Sequence, residues 1–214
     1  MKKVRMNLIL VVVMLLTIPA VSVADYVDYT GYNGRTINFT FTGARPSSGG
    51  IAAEIYITWN NVQTWAYCVD LDNYLSDSSA IAYYGGVGAP ITADQFKKAS
   101  WLLEKNWAPG LSSTQRAALQ AAIWEVRYDG LFTLGDNSAI TGFDGYYSAY
   151  IASLSDSGFT GFYPSNYVYL DLGEVPGQTA PDTVQDLITR VPEPGTLLLM
   201  GLGLIGLAGL RRKE

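Results

Sequence analysis

The chain has 214 residues, with fourteen Lys and Arg against nineteen Asp and Glu, and it contains no histidine. Without histidine there is no usual general base, no usual zinc ligand and no Ser-His or Cys-His pair, which excludes most hydrolase mechanisms. Setting aside the three basic residues near each end and Glu214 leaves eight basic and eighteen acidic residues, a net charge of −10 that argues against nucleic acid and anionic lipid as partners.

Taken in chain order, residues 1–24 have the three parts of a secretory signal. Lys2, Lys3 and Arg5 are the positive start, Leu8 to Ile18 is an unbroken apolar run, and Pro19 precedes Ser22-Val23-Ala24, a site for signal peptidase. The run falls short of the roughly 20 residues that span a bilayer, so cleavage after Ala24 is expected rather than anchoring.

The following half reads as strands. Ile37, Phe39 and Phe41 alternate with polar residues, as in a half-buried strand. Gly43 to Gly50 reads as a loop, and alternation returns over Ile51 to Trp59. Asn60-Asn61 is a tight turn, because asparagine tolerates positive φ. Val62 to Leu71 is the returning strand, with Cys68 on the face of Val62, Thr64 and Ala66.

The middle is helical. Thr92 and Gln95 have capping-box spacing ahead of Phe96, Ala99, Leu102 and Leu103, and Asn106 to Gly110 stops that helix. A second helix starts at Ser112, with Gln115 three residues on, and ends before Gly130. Asp144 to Leu154 reads as a third. Val168, Leu170 and Leu172 alternate as a closing strand, and the following VPGQTAPDT reads as linker. These elements predict an α+β domain over 25–174, an antiparallel β-sandwich or small barrel with a helical insertion. A linker over 175–191 leads to a transmembrane sorting tail over 192–214.

That tail begins with Pro192-Glu193-Pro194, continues through the uncharged Gly195 to Leu210, and ends in Arg211-Arg212-Lys213. A short apolar helix followed by arginines stops in a membrane with its basic end in the cytoplasm. The prolines keep the preceding residues extended and accessible to a protease. In all three parts the segment resembles the PEP-CTERM sorting signal of Gram-negative bacteria. The resemblance implies recognition by an exosortase, a membrane enzyme cutting near Pro-Glu-Pro. It also implies residence in the inner membrane before processing, then delivery to the cell surface or the extracellular matrix.

Cys68 is the only cysteine. In an oxidising compartment a lone thiol is buried and inert, paired between chains, or committed to chemistry. Two segments bear on this choice: Ala66-Tyr67-Cys68-Val69-Asp70-Leu71, and Gln120-Ala121-Ala122-Ile123-Trp124. Together they resemble the Cys-Gln thioester domains of bacterial surface adhesins, in which a strand cysteine after an aromatic residue bonds to a glutamine opening a Gln-x-x-apolar-apolar pattern. Leu119 departs from the subgroup whose motif is Thr-Gln-x-Ala. The resemblance implies an internal thioester between Cys68 and Gln120, shielded from water by Tyr67 and Trp124. The thioester would acylate an amine or hydroxyl on a surface ligand. The same residues also suit plain core packing, since free cysteine is among the most buried side chains.

Other constellations are weaker. Lys97, Lys98 and Lys105 sit on one helix, whereas a Lys-Asn crosslink needs a buried lysine. Asp70, Asp72 and Asp77 lack the glycine and terminal glutamate of an EF-hand loop, so no metal is expected. No cofactor and no catalytic turnover are expected, since a thioester consumed by its target acts once. The alternative function is non-covalent binding of exopolysaccharide, or a structural matrix role, with Tyr83, Tyr84, Tyr146, Tyr147, Tyr163, Tyr167 and Tyr169 as stacking candidates.

Overall fold

The alternation at Ile37, Phe39 and Phe41 belongs to a longer strand, β1 (Asp25–Phe41), in the computed structural model, which describes residues 25–43, 46–73, 75, 78–173 and 184–191. Signal segment 1–24 and sorting segment 192–214 lie outside the described residues. Among those described, no helix is long and apolar enough to cross a membrane.

β2 (Ser47–Trp59) and β3 (Val62–Cys68) follow with two corrections, the first being that β3 stops at Cys68 rather than Leu71, where the chain turns. The loop assigned to Gly43 to Gly50 is shorter, because β2 extends back to pair Ser47 with Phe41 and Ser48 with Thr40. A register shift between Ile37 and Thr40 and the left-handed Gly49 (φ +81) absorb the irregularity that glycines and serines suggest in sequence. Asn60 and Asn61 both take positive φ, +51 and +63, which makes the β2–β3 connection the tight turn their side chains favour.

Three strands carry no clear period-two signal. β4 (Ser78–Tyr84) has only Ala80 and Ala82 buried, and β5 (Phe132–Leu134) is three residues long. β6 (Tyr167–Leu172) was legible, but the whole strand is buried rather than alternating, as expected of a strand covered on both faces. The third, β7 (Leu187–Arg190), corrects the linker assigned to 175–191. Leu187, Ile188 and Thr189 are buried, and the strand runs between β3 and β6 in the middle of the sheet. Four residues are too few to show a period, so only the two neighbouring strands define it.

Every pairing is antiparallel, in the order β2-β3-β7-β6-β4-β1-β5, and β1 pairs with β2 as well. The ladder therefore closes on itself as a small barrel, with β5 attached to the far half of β1. Closure removes most of the free edge that would otherwise invite pairing with other chains. Among the described residues, three helices complete the α+β fold.

Helices α1 (Ala93–Asn106) and α2 (Ser113–Arg127) each open on a full capping box, Thr92/Gln95 and Ser112/Gln115. α3 (Phe143–Ser153) packs against α2. Residues Arg116 to Trp124 of α2 are all buried, because this helix lies between the other helices and strands β1, β2 and β3. A helix buried on every side is the exception to the one-sided stripe of a surface helix, and it places whatever chemistry α2 carries inside the domain.

A buried cysteine and glutamine beside an apolar cavity

Alternation along β3 turns Ala66 and Cys68 to one face and Trp65 and Tyr67 to the other. Cys68 ends the strand opposite Leu187 of β7. Gln120, in the middle of the buried α2, projects its carboxamide onto the main chain of Cys68. Its Oε1 accepts from the Cys68 N–H at 2.9 Å, and its Nε2 donates to the Cys68 carbonyl at 2.7 Å. Gln120 is 1% exposed and Cys68 2%. A buried carboxamide satisfied at both ends by one residue has its position fixed.

The Cys68 thiol donates to the Asp70 carbonyl at 2.7 Å, and the Asp70 N–H donates back to the sulfur at 3.3 Å. Burial pushes the thiol pKa well above its ordinary value, and the Asp70 charge adds to the rise. The Asp70 N–H and the Trp124 indole N–H act in the opposite direction. The Trp124 Nε1–H is itself buried and has no hydrogen-bond partner of good geometry. A buried donor without a partner is uncommon and costs about 1–3 kcal/mol, and here it stands near the sulfur.

Cys68, Gln120 and Trp124 line one cavity of about 240 Å³, walled mainly by Tyr29, Tyr32, Ile51 and Ile55. Ala53, Leu75 and Gln185 also line it, and Gln185 Nε2 donates to the Asp70 carbonyl at 2.6 Å. No charged side chain is among the described lining residues. Phe39 and Phe132 hold the Trp124 ring from behind, at centroid distances of 5.4 and 6.0 Å.

Of the four residues singled out from sequence, three meet here, and Tyr67 does not. Its side chain lies on the other face of β3, fully buried, with the hydroxyl 3.4 Å from Glu54 Oε2. Adjacent strand residues point to opposite faces, so a neighbour in sequence is no neighbour in the cavity. Tyr67 joins a second buried cluster instead. There Glu54 pairs with Arg116 Nε at 3.0 Å and accepts from Trp107 Nε1 at 2.5 Å, and Trp107 stacks on Trp65 at 4.2 Å.

Sequence reasoning missed Tyr29, Tyr32 and Gln185, which reach the cavity from β1 and from the segment ahead of β7. No local pattern marks them. The Asp70 carboxylate is held by the Asp72 N–H at 2.7 Å, the Asn73 amide at 2.6 Å and the Tyr128 hydroxyl at 3.1 Å, which fixes the turn after β3. Two tyrosine stacking candidates are internal: the Tyr167 hydroxyl meets Glu104 at 2.9 Å and that of Tyr169 meets Asp186 at 2.5 Å. The lysines are occupied at the surface, Lys98 with Asp94 at 2.6 Å and Lys105 with Asp156 at 3.7 Å.

No curated protein matches the chain. Among solved structures, the thioester domain of the Staphylococcus aureus TIE protein is similar at 13% identity and a TM-score of 0.45. The match covers 61% of this chain and 54% of that one, so the chain spans about half its length. The N-terminal thioester domain of a protein F2-like fibronectin-binding protein from Streptococcus pneumoniae is similar at 14% identity and a TM-score of 0.40, covering 79% and 94%. Residues 190–213 match the PEP-CTERM protein-sorting motif. That motif marks an exported protein, processed by an exosortase and sorted through a membrane-held stage to the cell surface.

Proposed function

We infer that this domain forms an internal thioester between Cys68 and Gln120 and uses it to attach covalently to a nucleophile on a surface ligand. The observation carrying this reading is the pair of hydrogen bonds that fixes the Gln120 carboxamide on the Cys68 main chain. Amides are poor acyl donors, and holding the reacting groups in one geometry lowers the barrier without a base. In the proposed step the Cys68 sulfur bonds to the Gln120 side-chain carbonyl carbon, the C–N bond breaks, and the nitrogen leaves as ammonia with the thiol proton. The negative charge that develops on Oε1 meets the Cys68 N–H already bonded to it.

Burial opposes a thiolate, whereas the thiol and the thioester are both neutral, so the apolar cavity that raises the thiol pKa penalises neither end of this step. Capture reverses the problem, since an amine or hydroxyl that takes the acyl group expels a thiolate. The Asp70 N–H and the partnerless Trp124 N–H are the donors at hand for that charge. Trp124 thus has two roles, closing the cavity to water and supplying a donor. The protein acts once per molecule, as an adhesive rather than an enzyme.

The test is the intact mass of the purified protein beside Cys68→Ala, before and after incubation with methylamine. The reading expects a deficit of one ammonia that is missing in the variant, and a methylamine adduct mapping to Gln120. A full mass with a titratable thiol in folded protein would overturn it.

A further inference from the structure

The sorting segment leaves the barrel from one particular end. β7 finishes with Arg190 opposite Tyr167, and the Val191 N–H bonds to the Asn166 carbonyl at 2.8 Å, so the chain is held by the fold up to residue 191. The turn after β4 lies beside it, with the Gly85 N–H on the Tyr167 carbonyl at 2.8 Å. The β2–β3 hairpin reaches the same end, where the Trp59 ring lies 6.2 Å from Tyr84 and Trp59 pairs with Val27, next to Tyr26.

This end carries most of the large apolar side chains that the domain exposes. Tyr163 is 78% exposed, Val87 77%, Tyr26 57%, Val62 46% and Tyr84 44%. Exposed apolar residues scattered singly need no explanation, but a cluster around one chain exit does. The sequence supplies the occupant. Only Pro192-Glu193-Pro194 separates Val191 from the apolar run that begins at Gly195, and four residue steps at full stretch span about 14 Å. While that run is held in a bilayer, the barrel end cannot stand clear of the headgroup layer. Tyrosine, with its amphipathic ring, is enriched in that layer.

We propose that the barrel end bearing Val87, Tyr163, Tyr26, Val62 and Tyr84 rests on the bilayer that holds the sorting tail, with the Cys68 cavity directed away from it. Cys68 pairs with the first residue of β7, Leu187, at the opposite end of that strand from the exit, and Tyr32 and Ile51 lie farther along β1 and β2. The tether therefore fixes both the height of the domain and the direction in which its cavity opens. The contact is apolar, since the mature chain is strongly acidic, and it does not depend on anionic lipid. The inference rests on the membrane-held stage of the sorting signal.

The experiment uses the full chain with Cys68→Ala, so that one introduced thiol carries a fluorophore, reconstituted into phosphatidylcholine vesicles containing a shallow nitroxide-labelled lipid. Labels at Val87→Cys and Tyr163→Cys are expected to be quenched several-fold more than one at Tyr32→Cys, without change when salt is raised. Adding Tyr163→Asp to the Val87-labelled chain should relieve that quenching while the protein still floats with the vesicles. Flotation with equal or absent quenching at 87, 163 and 32 overturns the contact alone, and would leave a protein partner as the cover for this end. Failure to float removes the membrane-held tail and this proposal with it.

Discussion

The Gln120 carboxamide and the Cys68 main chain form a closed two-bond pair across 52 positions of sequence, at 2.9 and 2.7 Å. Gln120→Ala leaves both Cys68 groups without these partners, and each such loss costs about 1–3 kcal/mol. The expected result is a melting temperature lowered by several degrees together with a full, unmodified mass. Gln120→Glu separates the two effects, because a carboxylic acid can still donate to the Cys68 carbonyl but a carboxylate cannot. Its pKa in the folded state is therefore raised, and stability present at low pH is lost as pH rises through that value. Thermal melts between pH 4 and 8 check the sign.

Trp124→Phe removes the partnerless indole N–H and keeps an aromatic ring against Phe39 and Phe132. If the N–H serves the sulfur, thioester formation and methylamine capture both slow by an order of magnitude or more in folded protein. If Trp124 only shields, capture holds or quickens. Measured with Gln120→Ala present, so that the thiol stays free, alkylation of Cys68 should need still higher pH in the phenylalanine variant, because one of the two donors that lower the thiol pKa has gone.

Alkylation of the free thiol should in any case be slow at neutral pH and rise only above the ordinary thiol value of 9.0, because burial pushes the Cys68 pKa up. The linkage has the matching sign. Stability is fully present below the unfolded thiol pKa and falls as pH climbs toward the folded one, since the unfolded chain ionises first. Tyr150, pushed up to about 12 by burial, adds to the same alkaline loss. Denaturant melts of Gln120→Ala with and without Cys68→Ala isolate the thiol's share.

Arg116→Ala should be among the most damaging single changes. It leaves Glu54 buried with its charge unbalanced, a loss of about 3–5 kcal/mol in comparable pairs. Arg116 also donates to the Leu111 carbonyl at the start of α2, so the helix loses an anchor as well. The effect should persist in high salt, where a surface pair would fade. Molecules that remain folded should still form the proposed thioester, because this cluster lies on the other face of β3.

Truncation before Leu187 should abolish cooperative unfolding, since it removes β7 from between β3 and β6. A chain ending after Val191 should melt as one unit. Circular dichroism of the two truncations decides between a structural β7 and a dispensable linker.

Local patterns in the sequence determined what local physics controls. The two capping boxes, the Asn60-Asn61 turn, the alternation of β2 and β3, and the helix carrying Gln120 and Trp124 all follow from residue type and spacing within a few positions. So did the sorting segment, whose apolar run and basic end are defined without reference to any fold. Tertiary structure alone decided that residues 187–190 are a central strand, because a four-residue segment buried on both faces has no period of its own. It decided too that Tyr67 leaves the cavity while Tyr29, Tyr32 and Gln185 enter it, since those positions are set by strand facing and by partners far away in sequence. The contact of Cys68 with Gln120 joins both kinds of information. Their residue types are those the proposed thioester needs, but a cysteine ending a strand and a glutamine within a helix meet only because barrel closure and helix packing bring those two points together.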